Sequence, residues 1–522
     1  MTFRHTIKQR KRKGSGSLKK ALSSTAVAAG ILTVISFALR GLGMLFRVYL
    51  SGRMGSAGLG LYQLVMSVYS LFATFATSGF TVAVSRLAAE KLENPDAKKA
   101  NCGALRVLCM SSLIALGVGS AAAMALYGGA DFLADAFILD GRTAAPLRIL
   151  AISMPFMSLS ACLKGYFTAV GQIYKPSAAS LFEQCAKIAI IVYSFETVCR
   201  GVTSPTALCT AVVAGLTAGE ALSYIFLFLL YLFFSGRPKD RVRIEEKPLK
   251  TAKGIAAVTL PIAASAYVTN LLHSAESVLI PMQFVRYGGD RQAALSDFGT
   301  IRGMTIPRLF FPFAFLGALF SIQIPAISRL NTAEDKEGRN RLIERIMRIS
   351  VAFSIVSGGI FFMFPDEISL AIYGSTESSE STRILALVTP FMYVETVSDG
   401  LLKSIGQQNK TLLYSIINSV FRISAVLFFI PYSGAIGYLW LLVASNLLSF
   451  FLCYRRLKSI TGYRAKPLSD ILLPIIYTAA GGLAAGPLRA LSLHRSIKAV
   501  LICAVCVGVY FTLYRISRRK AV

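Results

Sequence analysis

Arg148-Ile149-Leu150-Ala151, followed by Pro155-Phe156-Met157, Gly165, Gly171-Gln172, Lys175, Ser180 and Ile188, returns 235 residues later in the chain. The second copy reads Arg383-Ile384-Leu385-Ala386, Pro390-Phe391-Met392, Gly400, Gly406-Gln407, Lys410, Ser415 and Ile423. Aligned without a gap, 13 of the 41 positions from 148 to 188 are identical, where average residue frequencies give about three. Shared oiliness does not produce a run of Pro, Gly, Gln and Lys. A weaker echo, Ala83-Val84-Ser85-Arg86-Leu87 against Ala326-Ile327-Ser328-Arg329-Leu330, lies at an offset of 243, and one small insertion between helices accounts for the change of offset. The chain is an internal duplication.

The duplicated segment sits in an apolar chain. Of 522 residues 54% are apolar and 16% charged, whereas a soluble domain is nearer a quarter charged. Stretches such as Ala26–Leu39, Ser111–Tyr127, Leu222–Phe234, Val351–Phe364 and Ser496–Leu513 carry little or no charge. With their flanks they reach the roughly 20 residues that cross a bilayer. In hydrocarbon the backbone must satisfy itself, which these Ala- and Leu-rich stretches do as helices. Spans are expected near 24–50, 59–88, 100–127, 143–170, 176–199, 205–235, 252–285, 293–328, 343–364, 380–405, 411–431, 434–454, 469–487 and 496–514. Spans four and five repeat as ten and eleven, and span two as eight, so the repeat unit is six helices. Six is even, so both units enter from the same side, and their pseudo-two-fold axis runs along the membrane normal, as in carriers whose halves rock about a central site. The expected fold is an all-α integral membrane protein of about fourteen transmembrane helices, two pseudo-symmetric six-helix lobes plus a C-terminal pair. Its parts are a basic segment 1–23, an N-lobe 24–235, a basic linker 236–251, a C-lobe 252–455 and a helix pair with basic tail, 456–522.

A formal charge of +29 would suit nucleic acid, but its distribution argues against that partner. Alternate connections, counting the termini, hold 35 Lys and Arg on one side and 7 on the other. The positive-inside rule places both termini in the cytoplasm and Ser375–Ser379 outside. The basic start (Lys8, Arg10, Lys11, Arg12, Lys13, Lys19, Lys20) precedes a stretch too long for a signal-peptide core, so it reads as a retained topology signal beside lipid head groups. Cys503 and Cys506 form a C-x-x-C inside an apolar helix, where packing explains them better than redox or metal chemistry.

Ionisable residues at bilayer depth cost roughly 2.5–3.5 kcal/mol each and mark function by default. They are Arg40 and Arg47 in the first span, Glu183 and Lys187 in the fifth, and Glu220 in the sixth. The seventh holds His273 and Glu276, the eighth Arg302 and Arg308, the tenth Glu395 and Asp399, the eleventh Arg422. Lys187 and Arg422 are duplicates of one another, so a cation is kept at the same depth in both lobes. Some of these have plain explanations. Arg47, Asp399 and Lys164 lie near span ends and would snorkel; Glu183 and Lys187, spaced i,i+4, would neutralise each other; a lone His273 fits packing. Arg40, Arg302 and Arg308 lie deep, and a hydrated cationic cavity is expected around them. Arginine suits phosphate there because its planar fork stays charged and donates two parallel hydrogen bonds.

Gly58-Leu59-Gly60-Leu61-Tyr62-Gln63 with Ala83-Val84-Ser85-Arg86-Leu87 resembles the first lobe of the stage V sporulation protein B group. Gly303-Met304-Thr305-Ile306-Pro307, Pro312 and Pro325-Ala326-Ile327-Ser328 resemble its second lobe. That group belongs to the superfamily of multidrug, oligosaccharidyl-lipid and polysaccharide exporters, which includes the lipid II flippases. The resemblance implies a flippase that moves an undecaprenyl-pyrophosphate-linked saccharide, a lipid II-like or polysaccharide unit, from inner to outer leaflet of a bacterial plasma membrane by alternating access. It implies a cavity lined by helices 1, 2, 7 and 8, with Arg40, Arg47, Arg302, Arg308, Lys187 and Arg422 as candidate head-group residues and Glu276 as counter-charge. Lipid II flippases also carry arginine within the second span, where this sequence has none before Arg86. No catalytic or metal residue is expected, and the absence of G-x-x-x-x-G-K-[ST] removes the usual ATPase loop. Membrane potential or an ion gradient would drive such a monomeric carrier, whose partners would be membrane lipids and cell-wall synthesis proteins. A drug–cation antiporter would instead use carboxylates such as Glu276 and Glu395. A membrane glycosyltransferase or polymerase would need acidic groups on sizeable external loops, and those here are short.

Overall fold

The computed structural model describes residues 2–94, 96–234 and 248–520, and within them the chain is helical with no strand. The basic side chains of residues 1–20 and the basic linker up to residue 247 lie outside the described residues. Ten helices are long and apolar enough to cross a membrane, thirteen when each of three bent pairs is one span. The first of them, Val34–Leu92, is interrupted at Gly55, whose φ of 67° takes it out of the helix. Divided there, the described residues hold fourteen candidate spans. α1 and α2 are the limbs on either side of Gly55, and α2 continues through Phe80–Leu92. α3 is Ala97–Gly128, α4 is Gly141–Ala151 with Met154–Ala169, α5 is Tyr174–Thr197 and α6 is Pro205–Phe234. In the second half α7 is Pro248–Gly288, α8 is Arg291–Phe310 with Phe313–Thr332, and α9 is Lys336–Met363. α10 is Ser379–Ala386 with Thr389–Ser404, α11 is Gln408–Phe428 and α12 is Ile430–Thr461. α13 is Pro467–Ala490 and α14 is Arg495–Lys520.

The duplication is written into the backbone. α4 bends by 43° and α10 by 60°, each just before the repeated Pro155 and Pro390. Proline has no N–H to give the preceding turn and its ring crowds the carbonyl four residues back, here Ala151 and Ala386, so the helix must bend. Left-handed residues recur in the same way: Gly55 and Gly289, Leu139 and Gly374, Gly171 and Gly406, Gly201 and Gly434. After Gly171 and Gly406 the chain makes the same turn, with Gln172 N–H donating to the Phe167 carbonyl and Gln407 N–H to that of Leu402. The last two spans have no repeat partner and pack on the second half, where Thr478 of α13 meets Gly359 of α9. Large apolar side chains such as Phe233, Tyr432 and Leu483 point outward, the exterior that hydrocarbon demands.

The two halves meet chiefly through α2. Along α7, Asn270 Nδ2 donates to Thr74 Oγ1 at 2.8 Å and Ser274 Oγ to the Ser67 carbonyl at 2.6 Å. Against α8 the contact is closer, because Gly60 lies on the Leu295 carbonyl and Gly299 on that of Ser56. Small residues let helix backbones approach in lipid, where packing rather than hydrophobic burial holds helices together. Gly299→Ala is accordingly expected to lower the thermal midpoint of the purified protein, at a cost of about 1–3 kcal/mol for overpacking. Gly117→Ala, whose added methyl meets nothing within 4 Å, should leave the midpoint in place. Equal midpoints for the two variants would show that α2 and α8 do not approach this closely.

Candidate functional site

Glu276 lies in α7 with its side chain only 1% exposed. A carboxylate at that depth needs charge and hydrogen bonds around it. Arg302 from α8 supplies Nη2 at 2.6 Å from Oε1, and Arg422 from α11 donates its Nη2 to the same oxygen. Arg302 Nε donates in turn to the Tyr438 hydroxyl of α12 at 2.9 Å. Arg302 sits in a wide π-turn, Thr300–Thr305, where α8 departs from regular winding and Thr305 Oγ1 bonds the Thr300 carbonyl at 3.0 Å. Such turns gather at functional positions because they re-aim a side chain within an otherwise fixed helix. Two guanidinium groups thus share one carboxylate oxygen, leaving the cluster with a surplus positive charge. Among the described residues Glu276 Oε2 and Arg422 Nε have no hydrogen-bond partner, and His273 Nδ1 stands 4.0 Å from that Oε2. The arginines retain an open side, at 24% and 13% side-chain exposure, while the carboxylate does not. An incoming anion can reach the cations directly.

The duplicate cation in the first half is treated differently. Lys187 Nζ lies 2.5 Å from Glu183 of its own helix and 2.8 Å from Glu220 of α6. Glu183 also accepts from Ser223 at 2.9 Å and has Lys164 at 3.7 Å. Gly219 makes this possible, since any side chain there would collide with the Lys187 stem. Two lysines face two carboxylates, and no charge is left over.

Arg40 and Arg47 are exposed and make no hydrogen bond or ion pair to described residues. Both look into the seam between the halves. A methyl added at Gly317 of α8 would stand 2.8 Å from Arg40 Nη1, and Arg47 is within electrostatic range of Tyr62 in α2 and Tyr373 in the second half. Exposed guanidinium at this depth belongs in water rather than in lipid tails. Arg308 does not join the group. It is fully buried, with Nη1 on Ser369 Oγ at 2.6 Å and Nη2 on the Ser378 carbonyl at 3.0 Å, and it stacks over Tyr373. Its place is in fixing the connection between α9 and α10, not in the expected cavity. Glu395 lies apart on α10, near Thr396.

The structure therefore brings Glu276, Arg302 and Arg422 together, leaves Arg40 and Arg47 facing the seam, and ties Lys187 down in the other half. Tyr438 and Gly317 were not foreseen. Their partners lie on other helices, and an uncharged tyrosine or glycine in an apolar span carries no signal of its own.

A family model described as polysaccharide biosynthesis protein matches residues 27–320. Stage V sporulation protein B of Bacillus subtilis (strain 168) is 25% identical over 407 residues, covering 76% of this chain and 74% of that protein. Sporulation protein YkvU of the same organism is 20% identical over 365 residues, 68% of this chain and 77% of its own. Among solved structures, lipid II flippase MurJ in an inward closed conformation superposes with a TM-score of 0.66 at 15% identity, over 94% of this chain and 99% of that one. An inward-facing multidrug resistance MATE family transporter of the MOP superfamily follows with a TM-score of 0.61 at 14% identity, over 83% and 100%. At these identities the structural likeness speaks for the fold.

Proposed function

The chain belongs to the polysaccharide biosynthesis protein family, and from that premise we propose that it is a flippase carrying an undecaprenyl-pyrophosphate-linked saccharide from the inner to the outer leaflet. The observation that carries this reading is the pair of guanidinium groups, Arg302 and Arg422, on the one carboxylate of Glu276, with Arg40 and Arg47 left exposed in the first helix. A pyrophosphate dragged through bare hydrocarbon faces a Born penalty of order tens of kcal/mol. Arg40, Arg47, Arg302 and Arg422 replace its water with charge-assisted hydrogen bonds, while the prenyl tail stays in lipid. Glu276 competes for Arg302 and Arg422, so the head group is held and still released. The likeness to a lipid II flippase and the polysaccharide biosynthesis family support the same class of cargo. A drug–cation antiporter would need a carboxylate free to take the cation, and at Glu276 the Oε1 is already engaged by two arginines.

In this reading both termini are cytoplasmic, the two lobes are residues 24–235 and 252–455, and the swing of one against the other exposes the site alternately. Depleting the protein should make one lipid-linked saccharide build up on the cytoplasmic leaflet, and the accumulating species names the cargo. In the same cells an impermeant thiol reagent should label Thr376→Cys and leave Lys336→Cys untouched. A depleted strain in which no lipid-linked saccharide accumulates would defeat the proposal.

A further inference from the structure

The connection from α3 to α4 contains a residue under strain. Leu139 has φ of 57°, a left-handed conformation in which a Cβ crowds the following carbonyl oxygen. The repeat-related position in the second half is Gly374, at 71°, where no such cost arises. The first half thus keeps a strained leucine where glycine would be cheaper. Strain of this kind persists where the surroundings over-determine it and is a pointer to function.

What Leu139 positions is Asp140, which is buried at 4% exposure in a surface connection. Its Oδ1 accepts from the backbone N–H of Arg142 at 3.1 Å and from Arg142 Nε at 2.9 Å, and its Oδ2 from Arg142 Nη2 at 2.7 Å. The same Oδ2 lies 3.5 Å from Nε of Arg291, the first residue of α8 in the other half. Neighbouring ion pairs behave otherwise: Arg53–Glu196 and Arg148–Asp131 stay in the first half, and Arg383–Asp366 stays in the second. The crossing point adjoins the close contact of α2 and α8, where the Ser56 and Ser296 hydroxyls are 2.6 Å apart. The corresponding residue after Gly374 is Ser375, so only one copy of the repeat carries the acid.

We propose that Asp140 and Arg291 form a reversible latch that biases the two halves toward contact at the face opposite the termini. The chemistry suits a contact that must break and remake. A buried carboxylate stripped of its partner would be strongly destabilising, but the Arg142 fork travels with Asp140 and never leaves it bare. Arg291 is part-exposed, so its release is met by water and its return is a weak attraction. The latch presupposes that the halves swing, and in that respect it rests on the flippase reading.

The test reads closure without substrate. Ser56→Cys with Ser296→Cys in the full chain should form a disulfide under mild oxidant, seen by mobility on a non-reducing gel, with each single variant as control for the nine native cysteines. Adding Arg291→Gln should slow cross-linking about twofold to fivefold, the range that a part-exposed ion pair supports. Asp140→Asn should slow it as well, and Arg291→Lys should keep most of the parental rate. Arg291→Gln cross-linking at the parental rate overturns the latch while leaving the flippase reading intact, because no cargo is involved. Slowed cross-linking in a protein whose depletion accumulates no lipid-linked saccharide supports the latch and overturns the flippase.

Discussion

Replacing Arg302 and Arg422 together by alanine is expected to cost the protein both transport and fold, and adding Glu276→Gln is expected to return the fold alone. Glu276 Oε1 has both guanidinium groups as partners, and its side chain is almost entirely shut from solvent. Removing one cation leaves the other in place, so each single variant should be tolerated. With both gone the carboxylate is buried and unpaired, a condition that costs about 3–5 kcal/mol. Glutamine removes the charge while keeping the volume, so the triple variant should recover most of the thermal midpoint. It should still fail to complement a flippase-depleted strain at matched membrane levels, because the head group has lost its ligands. A double variant as stable as the parent, or a triple variant that transports, would contradict the site as drawn.

Arg40→Ala should do the reverse, losing transport without losing stability. Its guanidinium is exposed and bonded to no described residue, and surface substitutions of that kind stay within about 0.5 kcal/mol. One charge-assisted hydrogen bond contributes about 1.5–3 kcal/mol, so affinity for a pyrophosphate-bearing lipid should fall roughly tenfold to a hundredfold. Arg40→Lys should lie between, since charge survives and the fork is lost. The pair Arg40→Ala and Arg47→Ala should abolish complementation with an unchanged thermal midpoint. Full activity of that double variant would remove the first helix from the site.

Much of the architecture was legible because it is written in apolar runs and in a repeat. The gapless alignment of Arg148–Ile188 with Arg383–Ile423 found two of the helix pairs, and the backbone carries the repeat further. Gly55 and Gly289 are 234 residues apart and Gly201 and Gly434 are 233 apart, so a fixed offset passes over them. Leu139 and Gly374 share a backbone conformation without sharing a residue, which sequence comparison cannot see. The list of intramembrane charges named Glu276, Arg302 and Arg422 but not their pairing. Lys187 could be matched to Glu183 by helical spacing, whereas Glu220 reaches it from the next helix. Arg308 looked like a cavity residue by depth alone. Its partners, Ser369 and Ser378, come from a connection 61 and 70 residues further on, and nothing local announces them.

The uneven treatment of the two duplicate cations bears on electrical work. In the first half Lys164 and Lys187 cancel Glu183 and Glu220; in the second Arg302 and Arg422 share the carboxylate of Glu276, and Arg40 and Arg47 add two further guanidinium groups. On the proposed reading the empty carrier swings with a net charge of three, and the roughly two negative charges of a pyrophosphate reduce that to about one. Each unit crossing the full field is worth about 2.3 kcal/mol per 100 mV, and a swing that moves the site through part of the thickness collects that fraction. An inside-negative membrane would then act most strongly on the unloaded stroke, drawing the vacant site back toward the cytoplasm and opposing the loaded stroke only slightly.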